Sequence, residues 1–161
     1  MGTGGTGFPH GGVIISGSTA TISTATVGNE GTGVDTLMSY ELPAGALGGD
    51  GKALRILAWG TTANNANTKQ IILLFGATAI VSSPAENYTN EKWWFEAFVV
   101  RTSATAQEAF GWTMTGGNNV RATGSTTPAE TMSGAITIKL TGEATASNDI
   151  VQRGMIVEFV N

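Results

Sequence analysis

Short β-type runs separated by turn residues recur along the whole chain, and this pattern constrains the fold more than any other feature. Residues 13–15, 19–27, 34–42, 52–59, 69–81, 92–102, 105–115, 135–141 and 155–160 are rich in Val, Ile, Thr, Phe and Trp. Between them fall Gly48-Gly49-Asp50-Gly51, Asn64-Asn65-Ala66-Asn67 and Pro43, residues that favour turns over ladders. Regular spacing of this kind is the pattern of sandwiches and barrels. Residues 136–141 alternate cleanly, with Ile136, Ile138 and Leu140 on one side and Thr137, Lys139 and Thr141 on the other, as a half-buried strand requires. Residues 19–27 are Thr-rich and read as an edge strand.

Helical signals are weak. Ser83-Pro84-Ala85-Glu86 and Thr127-Pro128-Ala129-Glu130 have the spacing of a helix start, with proline at the first helical position. No apolar stripe follows either one, so each is expected to form a single helical turn or a β-turn. Without crossover helices the strands pair antiparallel.

Two runs are apolar on both faces. Residues 71–75 read Ile-Ile-Leu-Leu-Phe. In residues 93–100 one face carries Trp93, Phe95, Ala97 and Val99, and the other carries Trp94, Glu96, Phe98 and Val100. A two-layer sandwich buries only one face of each sheet. The second face therefore needs another cover, which a neighbouring subunit or loops of the same chain would supply.

Composition points the same way. The chain has 161 residues, enough for one domain with a core, and only 12% of them are charged, against roughly 25% in an average globular protein. Such a surface is covered with Thr, Ser and Asn or lies partly against neighbours. The eight basic residues are scattered singly and the net charge is −4, so no basic stripe is available for nucleic acid. No run of about 18 apolar residues is present to span a membrane as a helix. With no cysteine there is no disulfide and no thiolate metal site.

The first twelve residues contain six glycines, Pro9 and His10 and read as an arm, leaving residues 13–161 as one domain. Gly2 to Gly7 spell G-x-G-x-x-G, but no strand precedes it and no helical pattern follows, so no dinucleotide site is expected. The only histidine, His10, stands alone, whereas a histidine-based metal site needs two or three. No cofactor and no metal is expected. Asp35, Asp50 and Asp149 are too dispersed for a calcium loop. Asn87-Tyr88-Thr89 is a glycosylation sequon, but nothing in the sequence directs the chain to a secretory pathway. Glu96 and Glu108 form the one carboxylate pair to weigh for sugar hydrolysis, with Arg101 close in sequence; a structural ion pair is the commoner outcome, and no enzymatic role is assigned. As protein-contact residues the sequence nominates Gly7, Phe8, Pro9 and His10 of the arm together with Trp94 and Phe98. Trp59, Trp93 and Trp112 are the candidates for stacking on a glycan.

Four stretches carry a resemblance. They are residues 42–51 leading into Leu54-Arg55-Ile56-Leu57-Ala58-Trp59-Gly60 and on through Asn64, Asn65, Asn67 and Lys69; Leu73-Leu74-Phe75-Gly76; Val99-Val100-Arg101-Thr102 with Ala106-Gln107; and Asn148-Asp149-Ile150-Val151-Gln152 through Val157-Glu158. Together they resemble virion structural proteins of bacteriophages, of the head-decoration, head-fibre or tail-fibre kind, over residues 34–161. The resemblance implies a jelly-roll sandwich of about eight strands, trimers, and contact with the major capsid protein or another virion protein. It also implies a place in the virion after synthesis in the host bacterial cytoplasm, and within the virion the leading expectation is the capsid surface. A fibre module that binds host glycans is the alternative. No catalytic residue comes with the resemblance.

Overall fold

The computed structural model describes residues 19–116 and 120–160. The arm at residues 1–12, with Gly7, Phe8, Pro9 and His10, and the run at residues 13–15 lie outside the described residues.

Twelve strands form two antiparallel sheets, and no helix occurs among the described residues. They are β1 (Thr19–Ser23), β2 (Val27–Gly28), β3 (Gly33–Leu42), β4 (Ala53–Thr62), β5 (Thr68–Phe75), β6 (Thr78–Ser82), β7 (Glu86–Asn87), β8 (Lys92–Ser103), β9 (Ala106–Thr115), β10 (Val120–Thr126), β11 (Ile136–Ala144) and β12 (Ile150–Phe159). The larger sheet runs β1-β12-β4-β8-β9-β10, with β2 also on β12. The smaller runs β3-β11-β5-β6, with β7 also on β5.

Eight of these strands form a jelly roll. Taking β1, β3, β4, β5, β6, β8, β11 and β12 in order, the first pairs with the last, the second with the seventh, the third with the sixth and the fourth with the fifth. This is one long hairpin rolled up, closed where β12 meets β4 and β11 meets β5. The sandwich expected from the sequence is therefore present, with twelve strands rather than about eight. The short β2 and β7 and the added strands β9 and β10 make up the difference.

The run at residues 69–81 is two strands, not one. Gly76 has φ of +60° and, with Ala77, turns β5 into β6, placing Phe75 opposite Thr78. A positive φ at the first position of a two-residue loop is the type II′ pattern that glycine supplies. The two proline-led segments contain no helical turn. Glu86 begins β7, and Glu130 instead accepts the Ala77 N–H at 3.0 Å while Gln107 holds its own backbone.

The core lies between the sheets. Leu54, Ile56 and Ala58 of β4, Trp93, Phe95, Ala97 and Val99 of β8, and Met155 and Val157 of β12 face Ile71, Leu73 and Phe75 of β5 and Ile138 and Leu140 of β11. Trp93 and Phe95 meet edge to face, with ring centroids 5.9 Å apart. Trp93 is fully buried over Gly60, and its Nε1–H donates to the Thr61 carbonyl at 3.3 Å.

Candidate functional site

Period-two alternation sends the other half of β4, β8, β9 and β12 outward, and the smaller sheet does not cover that side. Three rows of side chains cross the outer face of the larger sheet. One runs from Ile22 through Ile156, Leu57 and Glu96 to Trp112. The next runs from Gly154 through Trp59 and Trp94 to Met114, and the third from Glu158 through Arg55 and Phe98 to Phe110.

This face is apolar and open. Trp94 is 48% exposed, Phe110 47%, Met114 37% and Trp59 36%, while Phe98 and Trp112 are half-buried. Phe98 and Phe110 are stacked, with centroids 5.3 Å apart and planes at 17°. Trp112 extends the group, 6.3 Å from Phe98 and 6.4 Å from Phe110. Leu57, Trp59 and Trp94 line a shallow, wholly apolar depression of about 290 Å³. Soluble monomers seldom leave a contiguous aromatic surface of this kind to water.

Its charges are mostly neutralised from within. Glu96 is nearly buried and accepts from the Arg55 Nε–H at 2.7 Å, and a second arginine nitrogen lies 3.6 Å from Glu158. The face can therefore lose water around Arg55 without stranding a lone charge.

The tryptophans nominated from the sequence separate here. Trp59 and Trp112 lie on the outer face beside Trp94 and Phe98. Trp93 points into the core and has no ring face left for a ligand, which corrects its reading as a stacking residue. Alternation divides Trp93 from Trp94 but does not reveal which one faces inward. The structure also adds Leu57, Phe110, Met114 and Ile156, which the sequence reading passed over. Phe110, Trp112 and Met114 alternate along β9, and that periodicity was the available signal. Glu96 and Glu108 do not share a cleft: Glu96 is opposite Trp112, whereas Glu108 is opposite Val100. Among the described residues no group of three or more His, Cys, Asp or Glu side chains is placed to hold a metal.

A second polar cluster is buried at one end of the sandwich. Asp149 accepts from the Asn65 and Asn67 side-chain amides at 2.5 and 2.8 Å and from the Ala146 N–H at 3.0 Å. Lys69 is fully buried and donates to the Asn65 side-chain and backbone oxygens at 2.8 and 3.3 Å and to the Asn67 carbonyl at 2.8 Å. Burial pushes the Lys69 ammonium below its ordinary range, with Asp149 opposing that shift. Burial alone would raise the Asp149 carboxyl. The amides of Asn65 and Asn67, the Ala146 N–H and the Lys69 charge outweigh it and hold the group below the usual carboxylate range. Next to this cluster the Asn29 side chain accepts from the Ile150 N–H and donates to the Ala146 carbonyl, and Gln152 accepts from the Met38 N–H. These are structural locks. The segments at residues 63–69 and 148–152, which carry part of the phage resemblance, meet in them rather than in a binding surface.

No known protein family matches the chain, and no curated protein does. Among solved structures the chain is similar to the CBM2 module of the evolved Dit of Lactobacillus casei BL23 phage J-1. The identity is 9%, the match covers 76% of this chain and 68% of that one, and the TM-score is 0.35. A likeness this loose transfers no residue from one chain to the other.

Proposed function

We propose that this chain is a structural protein of a bacteriophage particle, a decoration protein bound to the outer surface of the head, acting by adhesion rather than catalysis. The observation that carries this reading is the exposed aromatic outer face of the larger sheet, which has the composition of an interface core. The resemblance of residues 34–161 to virion structural proteins supplies the setting. Contacts of this kind add up through copy number, since each bound protomer raises the effective concentration of the next contact. The scarcity of charge lowers the cost of drying the contact surfaces. In this reading the glycine-rich arm at residues 1–12 contributes to shell binding, and loss of residues 1–10 weakens attachment without unfolding the sandwich.

Locating the protein in an electron-microscopy map of intact particles tests the proposal. Density over the head exterior is expected; density at the tail, or particles without the protein, would overturn it. One observation favours a second reading. The apolar depression at Leu57, Trp59 and Trp94 offers two indoles to a sugar ring. A glycan array with tryptophan-fluorescence titration separates the two readings: a saturable hit that is lost in Trp59→Ala supports the glycan module.

A further inference from the structure

The outer face of the larger sheet is polarised along its strands. At one end Lys92 and Arg153 are exposed on either side of Thr61, and the Arg153 Nε–H reaches the Thr61 hydroxyl at 3.3 Å. At the other end stands Glu108, exposed next to Val100, with Glu158 in the adjoining row, 3.6 Å from the Arg55 guanidinium. Lys92 and Val100 are eight positions apart on β8, about 26 Å at the rise of a strand. The aromatic rows lie between these ends. The row of Ile156, Leu57, Glu96 and Trp112 falls midway.

A surface that is positive at one end, negative at the other and apolar between is complementary to itself when reversed. We propose that this face is the contact between two copies of the chain, packed face to face about a two-fold axis that crosses the strands over the middle row. The inference rests on the reading of this face as an assembly surface and names its occupant. The axis places Lys92 over the second copy's Val100, one strand spacing from its Glu108 and within a lysine's reach of it, and Arg153 beside its Glu158. It sets the Trp59 and Trp94 row on the second copy's Arg55 and Phe98 row. There an indole meets a guanidinium already held by Glu96, a cation–π contact that brings no unpaired charge. Each copy contributes its own patch to the other, as a two-fold contact requires. From β1 to β10 the sheet is about 24 Å wide at strand spacing. With its length, that is of the order of the ~800 Å² per partner found in stable interfaces. A three-fold arrangement with strands parallel to the axis would instead bring like-charged ends together. The two-fold thus stands against the trimer that the resemblance implies.

Light scattering on the full chain across a dilution series reads the mass directly. Twice the chain mass is expected. Lys92→Glu and Glu108→Lys each turn two symmetry-related attractions into repulsions and weaken the dimer about tenfold. Mixing the two variants restores wild-type affinity, because both contacts of the mixed pair are then opposite in sign. Trp94→Asp, at an exposed position, yields monomers with an unchanged circular-dichroism spectrum and a Tm that no longer rises with protein concentration. A monomeric or trimeric wild type, an unaltered dimer in Trp94→Asp, or no rescue on mixing would each overturn the inference. A protein that is monomeric yet found on phage heads overturns the dimer and leaves the decoration reading intact; a dimer absent from particles does the reverse.

Discussion

The Trp59 indole lies across Gly154 so closely that a Cβ at residue 154 would fall 2.1 Å from the ring. The glycine gives the indole a seat on the neighbouring strand, and the ring thereby becomes part of the outer face. Gly154→Ala forces the indole to move, because a ring on a strand has few rotamers to escape into. The variant should lose about 1–3 kcal/mol in urea unfolding, and Trp59 fluorescence should shift toward that of a more solvated indole.

Gly60→Ala should cost more than Gly154→Ala. Its Cβ would fall 2.1 Å from the Val151 carbonyl oxygen as well as 2.4 Å from the Trp93 ring. Backbone cannot turn aside as a side chain can. Unfolding of both variants under one set of conditions ranks them, and the reverse order would contradict the packing described.

Trp93 and Trp94 are adjacent in sequence and opposite in consequence. Trp93→Ala leaves a core cavity and should lose about 3–5 kcal/mol. Trp94→Ala should alter stability by about 0.5 kcal/mol or less while weakening association. Chemical denaturation paired with light scattering separates the two effects.

Asp149 ties stability to pH. Its folded pKa is below the ordinary 3.8, so its contribution is complete above that value and is lost as pH falls through the folded value. Asp149→Asn should lower Tm at about pH 7 and flatten the acid limb of the Tm profile below about pH 4. An acid limb as steep as that of the wild type would assign the acid sensitivity elsewhere.

Lys69→Ala removes the three hydrogen bonds that the ammonium makes and a positive charge that helps hold Asp149 ionised. Breaking a buried ionic network on one side should cost about 3–5 kcal/mol. Thermal unfolding near neutral pH measures it.

Much of the sandwich was legible because alternation and turn residues report on the strand locally. Residues 136–141 lie within β11, and residues 105–115 match β9 to within a residue. Legibility failed where local chemistry was mute. Val120–Thr126 is a strand built mostly of Ala, Thr, Gly and Ser, and it was missed because it offers no apolar alternation. The Gly76-Ala77 turn was hidden inside a run apolar enough to pass for one long strand. The outer face was legible only as an excess: β8 carried too many large side chains for one core, without indicating which half faced water. The lock between Lys69 and Asp149 joins residues 80 positions apart, and only the rolled topology brings them together.

That topology also sets the first and last described strands side by side, with Thr19 of β1 opposite Glu158 near the close of β12. A permutant that runs residue 160 through a short linker into residue 19, and opens instead at the Gly76-Ala77 turn, keeps every strand beside its present neighbours. The roll is thus a closed circuit of strands, indifferent to which loop is cut.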